Sequence, residues 1–148
     1  MFLLMISTRG RYALRMMIDL AEHEYDGFVA LKDIAERQNF SKKYLEQIIP
    51  VLNRSRLLQT SRGAGGGYRL IKKPDEYTVG EILRATEGDL APVSCLEGDV
   101  NTCPRCSECA TLPVWAGLQK IVDEYLDGIS LQDILDNKQA NIGNDYSI

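Results

Sequence analysis

The chain has one histidine, one tryptophan and no cysteine outside a single fifteen-residue stretch. His23 has no nucleophile placed beside it in sequence, which argues against hydrolytic catalysis, and no enzymatic activity is expected. No run is long and apolar enough to span a bilayer. Met1-Phe-Leu-Leu-Met-Ile6 is too short for a signal-peptide core and lacks a preceding positive charge, so a cytoplasmic protein with no membrane partner is expected. The glycine-rich stretch 63–67 is not followed by Gly-Lys-Ser/Thr but by a strand pattern, which argues against a nucleotide-cradling loop.

What is present is a charge asymmetry. The whole chain carries −4, yet residues 1–73 hold 13 Lys/Arg against 7 Asp/Glu, a net of +6. Residues 74–148 hold 4 against 14, a net of −10. The acidic total therefore conceals a basic first half suited to phosphate contact.

Inside that half, Leu31, Ile34 and Ala35 share one helical face, and Ala35 is small enough for a close crossing. After Asn39-Phe40, Ser41 is a good N-cap for a second helix bearing Tyr44, Leu45, Ile48 and Ile49. Pro50 predicts a bend, confining the reading segment to residues 41–49. Asn53-Arg-Ser-Arg56 closes this helix without glycine and predicts a left-handed Arg56. Two short strands, 57–62 and 68–71, then flank Gly63-Ala-Gly-Gly-Gly67, with arginines at 62 and 69.

Two crossed helices and a glycine-tipped hairpin make a winged helix-turn-helix. The fold class is mainly α with a small β-hairpin wing, and the expected partner is a double-stranded DNA operator. Ser41, Lys42, Lys43, Tyr44, Glu46 and Gln47 would face the major groove. Arg62, with Gly65 and Gly66 at the tip, would enter the adjacent minor groove, and Arg9, Arg11 and Tyr12 would touch backbone. Arg9, Arg11 and Arg15 sit at the wrong end of a first helix for its dipole, which asks for an anion nearby. A helix-turn-helix serving protein contacts alone is the alternative.

Further on, Thr78-Val-Gly-Glu81 reads as a capping box for a helix ending at Gly88. The winged domain thus covers residues 1–88 and a cysteine-containing sensor loop residues 89–112. From Pro113 to Asp127 a long amphipathic helix carries Val114, Leu118, Ile121, Val122 and Tyr125 on one stripe. This predicts a homodimer through the 113–127 helix. Ser130 would cap a short last helix, completing residues 113–136, and 137–148 would form a flexible tail.

Cys95, Cys103, Cys106 and Cys109 point to metal or redox chemistry rather than a disulfide framework. Cys103-x2-Cys106-x2-Cys109 has ferredoxin-type spacing, with Cys95 upstream as a fourth thiolate. An iron–sulfur cluster, 2Fe–2S or 4Fe–4S, is the first expectation; zinc held by all four cysteines, or thiol sensing without metal, are the alternatives. A small iron–sulfur electron carrier is a remote one, since a carrier has no use for a basic reading head.

Four runs resemble a known family: Ile6-Ser-Thr-Arg-Gly-Arg-Tyr-Ala-Leu14, Ile34-Ala-Glu-Arg-Gln38, Tyr44-Leu-Glu-Gln47 and Arg62-Gly-Ala-Gly-Gly-Gly-Tyr-Arg-Leu70. They look like the signatures of the IscR/NsrR/CymR family of bacterial transcription regulators. The resemblance covers residues 5 to about 136. It implies a homodimeric regulator, expected to be a repressor, that senses iron–sulfur status, nitric oxide or cysteine supply. In cluster-binding relatives three cysteines are followed by a histidine three positions on. Cys95, Cys103 and Cys109 match the cysteines, but Leu112 stands at the histidine's place and Cys106 is an extra thiol. The ending Asp145-Tyr146-Ser147-Ile148 resembles the C-termini of serine acetyltransferases, which dock into O-acetylserine sulfhydrylase. CymR-type members are implied to partner that enzyme, so Tyr146 and Ile148 become candidate partner-binding residues for a cysteine-metabolism repressor.

Overall fold

Ser7 opens the first helix: its side chain accepts the Gly10 N–H at 3.1 Å, and α1 runs Thr8–Glu22. The structure is a computed structural model and describes residues 6–101 and 103–145. Helix α2, Leu31–Gln38, stops at a left-handed Asn39, φ 56°. Asparagine tolerates that region better than most residues, and the turn delivers Ser41 to cap α3, Lys42–Arg54, at the Tyr44 N–H, 3.1 Å away. Helix α3 runs through Pro50 and closes at Arg54–Ser55, within the Asn53–Arg56 stretch where the sequence ends it. Glu46 and Pro50 are both exposed, so water can serve the carbonyl that the proline leaves without a donor. Arg56 is left-handed, φ 58°, at a cost of about 1 kcal/mol.

Strands β1, Leu58–Ser61, and β2, Gly67–Leu70, pair antiparallel with Leu58 opposite Leu70 and Ser61 opposite Gly67. The hairpin is pinned at its base. Val29 and Tyr68 exchange two backbone hydrogen bonds, at 2.8 and 2.9 Å, between the α1–α2 connection and β2. A Cβ at Gly67 would strike the Val29 carbonyl, so this close approach requires glycine.

Thr78 caps α4, Val79–Glu87, through the Glu81 N–H at 3.1 Å. The expected box is half made, because the Glu81 carboxylate pairs with Lys72 Nζ at 3.0 Å. After a short 3₁₀ turn at Ser94–Leu96 come α5, Leu112–Asp127, and α6, Leu131–Asp145. The last helix is longer than the sequence suggests and runs past residue 137, where a flexible tail is expected. Lys138 pairs with Glu22 and holds the added turn against α1. Tyr146 and Ile148 lie outside the described residues.

The main core gathers Met16, Met17, Leu20, Ile34, Leu45 and Ile48 with Tyr77 and Leu131, all buried. Two polar groups are enclosed with it. Asp19, 1% exposed, accepts both arms of Arg37, at 2.7 and 3.0 Å, and the Gln38 amide at 3.0 Å, welding α1 to α2. That bond raises the Arg37 pKa. Tyr77 donates to the Leu57 carbonyl at 2.7 Å and accepts the Ile71 N–H at 2.9 Å, joining both ends of the hairpin. Burial pushes its phenol up, against those backbone donors.

Candidate nucleic-acid interface and cysteine loop

The exposed side of α3 offers Lys42, Lys43, Glu46 and Gln47. Two lysines supply cations and two side chains supply amide or carboxylate groups that can pair with base edges. Ser41 is exposed, but its hydroxyl is spent on the helix cap. Tyr44 is half-buried, edge-on to Tyr12 at 5.1 Å. Tyr12 in turn stacks on Phe40 at 4.1 Å. These rings fix α1 against the start of α3, so packing is their first task.

The arginines of α1 divide. Arg9 donates to the Thr86 carbonyl at 3.0 Å, in the last turn of α4, where the helix dipole is negative. Arg15 lies over the Phe40 ring at 4.2 Å and donates to the Gln38 carbonyl at 2.8 Å. In place of the anion that the sequence asks for, these two find neutral acceptors, a helix C-terminal carbonyl and a carbonyl with an aromatic face, within the fold. Arg11 is exposed, with only Thr8 Oγ1 at 3.0 Å as a partner among the described residues. The Ser7 N–H and hydroxyl both donate to Glu87 Oε1, at 3.1 and 2.6 Å, closing the join between α1 and α4.

At the wing, Gly63 and Gly65 have φ of 90° and 74° and open space around them, and Arg62 is exposed. Gly66 is part of the turn itself, its N–H on the Gly63 carbonyl at 3.0 Å, with no room for a side chain. Arg69 is committed to Gln59 Oε1 at 2.9 Å and to the Phe28 ring at 4.3 Å. Thr60 bonds Asn53 at 3.2 Å, tying β1 to the last turn of α3. Sequence reasoning missed Asp19 and Tyr77. A carboxylate inside the apolar face Met16–Leu20 was the available signal for the first; nothing local marked the second.

All four cysteines are free and half-exposed. The Cys106 N–H reaches the Cys103 carbonyl at 3.1 Å in a run of turns. Cys109 lies three residues before α5, its Sγ 3.4 Å from Thr111 Oγ1. The Thr111 hydroxyl, helped by backbone N–H groups, holds the Cys109 thiol below its usual range. Among the described residues no three His, Cys, Asp or Glu side chains converge as a metal site. By type and number the thiols suit an iron–sulfur cluster or zinc; by position the loop holds them apart. His23 is held by the Asp19 carbonyl at 2.7 Å, and Leu112 offers no donor atom.

Helix α5 has no buried residue. Val114, Ile121 and Tyr125 are 59, 66 and 67% exposed, with Trp115 and Leu118 beside them. None of the described helices is long and apolar enough to cross a membrane.

Comparison with known proteins agrees with this arrangement. Residues 6–137 match the family model Rrf2, described as an iron-dependent transcriptional regulator. The chain is 40% identical over 129 residues to the HTH-type transcriptional regulator CymR of Bacillus subtilis, covering 87% of this chain and 88% of that protein. It is 38% identical over 146 residues to the HTH-type transcriptional regulator IscR of Aliivibrio salmonicida, covering 97% and 84%. Among solved structures, CymR, the global cysteine regulator of B. subtilis, superposes with a TM-score of 0.74 at 37% identity, over 90% of this chain and 97% of that one. T. potens IscR gives 0.72 at 40% identity, over 90% and 88%. A winged reading head, a match along almost the whole chain and named regulators on every side lead to one conclusion: the chain belongs to the Rrf2 family of helix-turn-helix transcriptional regulators.

Proposed function

We propose that this regulator acts as a homodimer on a double-stranded operator, with its DNA affinity set by an iron–sulfur cluster held by Cys95, Cys103, Cys109 and, in place of the histidine absent at Leu112, Cys106. The observation that carries the reading is continuity. Four free thiols lie on the segment that runs into α5, whose apolar stripe is exposed and suited to a second copy of itself. When bound, the cluster would supply a redox-sensitive crosslink among thiolates. The chain does the rest. Drawing the cysteines together shortens the 89–111 segment, restrains the first turn of α5 and biases the relative placement of the two reading heads. At the DNA, Gln47 and Glu46 read base edges, Lys42 and Lys43 meet phosphate, and Arg62 enters the minor groove beside the glycine tip.

A second reading, thiol sensing without metal, is favoured by the separation of the cysteines and by the likeness to CymR. It would place this protein in cysteine metabolism, with residues 146–148 offered to O-acetylserine sulfhydrylase.

Anaerobic purification tests the first reading. The protein should be coloured, with iron and sulfide bound, and Cys103→Ala and Cys106→Ala should each lose both. A colourless protein with one zinc per chain would overturn the cluster. Selection from a random-sequence duplex pool should yield a defined site, which Arg62→Ala binds about 1–3 kcal/mol more weakly. Lys43→Ala should weaken all duplexes alike. Failure of the wild type to enrich any sequence would overturn the assignment of α3 and the wing.

A further inference from the structure

Helix α5 leaves the reading head with little apolar grip. Its residues are half-exposed or exposed, and only Leu126, near its end, joins the small cluster of Val79, Leu83 and Leu90. Just beyond it, the backbone is pinned by Val79 N–H to the Ile129 carbonyl at 2.9 Å and Leu131 N–H to the Tyr77 carbonyl at 3.1 Å. Those bonds fix where the helix ends. They do not fix how it tilts or turns.

One side chain does. Arg84 of α4 donates through Nη1 to Asp127 Oδ1 at 2.6 Å, and through Nη2 to Asp127 Oδ2 at 3.1 Å and Asp123 Oδ1 at 2.9 Å. Asp123 and Asp127 stand one turn apart, so a planar fork that holds both resists rotation about the α5 axis as well as sliding along it. Among the described residues this is the only ion pair joining α5 to another element. Gly80 lies one turn before Arg84, and a Cβ there would collide with the Asp127 carboxylate. The bare backbone of α4's first turn thus makes room for the acid at the positive end of that helix.

We infer that Arg84, with Gly80, Asp123 and Asp127, is a positioning device that sets the angle between the dimer helix and the reading head, and so the half-site spacing the dimer accepts. The inference rests on the proposed dimer through α5. Helix α5 has 16 residues and spans about 24 Å, so a small tilt at the fork displaces each head at the far end of a long arm. Two heads must match half-sites about 34–36 Å apart, a geometry that rewards a fixed angle.

The test uses the full-length protein and duplexes that the wild type enriches from a random-sequence pool. The same duplexes are then remade with one base pair added or removed at the centre. Wild type should discriminate between these spacings, and Arg84→Met should lose about tenfold of that discrimination. Arg84→Lys should restore part of it, and Gly80→Ala, whose Cβ presses on the ends of both Asp127 and Arg84, should lower it less than Arg84→Met because those side-chain ends can shift. Binding to a single half-site should be unchanged, which a merely destabilised head would not show. If Arg84→Met fails to fold, Asp123→Ala/Asp127→Ala removes the same acceptors from a half-exposed and an exposed position on α5. Sedimentation separates the two ideas. A monomeric wild type would overturn the dimer reading together with this inference. A dimeric, folded fork variant with wild-type spacing discrimination would overturn the inference alone.

Discussion

Every helix from α1 to α4 carries buried residues, whereas none of the described residues from Ala91 to Gly128 is buried. The reading head holds its shape by packed side chains and enclosed polar bonds. The cysteine-containing loop and α5 hold theirs by local turns, one arginine fork and a backbone pin. The contrast separates two properties that often travel together. Buried packing is concentrated in the head, and under the proposed function assembly and response fall to the arm, so each could be damaged without the other.

The sharpest way to break that division is to make the same substitution in both regions. Ile48→Ala removes a fully buried side chain and should cost about 2–5 kcal/mol in urea unfolding. Ile121→Ala, at a position 66% exposed, should change the stability of the dilute chain by less than about 0.5 kcal/mol while weakening self-association. Equal losses of stability would mean that α5 is part of the core after all.

Asp19→Ala should come next, at about 2–3 kcal/mol. It leaves Arg37 and Gln38 without their acceptor, but Arg37 can turn to water, which keeps the loss below that of a fully enclosed pair. Thermal unfolding of Asp19→Ala beside Arg37→Ala would show whether the two losses overlap, as they must if one network is responsible.

Tyr77→Phe should cost about 1–2 kcal/mol at neutral pH, because the Leu57 carbonyl and the Ile71 N–H both lose a partner. The pH dependence has a definite sign. The folded phenol titrates above its unfolded value of 10.0, so its contribution is complete below that pH and fades as the pH rises through the folded value. The gap between wild type and Tyr77→Phe should therefore narrow in alkaline solution. A gap that stays constant from pH 8 to 11 would remove Tyr77 from the network.

Much of this was legible in the chain, for a physical reason. Ser41 and Thr78 are local signals that act within one helical turn, and each caps the helix the sequence assigns to it. The left-handed Arg56 was legible because a helix must end somewhere and no glycine was available. The partners of the arginines were not. Arg9, Arg15 and Arg84 find acceptors 77, 23 and up to 43 residues away, and no local pattern encodes those meetings. A stripe of cations read as a DNA contact can thus be partly spent on the fold. The extent of α6 was missed similarly, because Lys138 meets Glu22 only once the chain has folded back on α1.

The pinned base and open tip of the hairpin carry a consequence for how such a regulator could change its targets. Gly67 admits no side chain without breaking the bridge to Val29, so mutation at that position should be purged. Gly63 and Gly65 face open space, and residues 63–65 form no part of the β1–β2 ladder. Their φ of 90° and 74° still favours glycine, so the tip can vary freely in length and at Ala64 but not at these two positions. Under the proposed contact with DNA, the hairpin thus divides into a base that must hold the fold and a tip whose length can change without disturbing it.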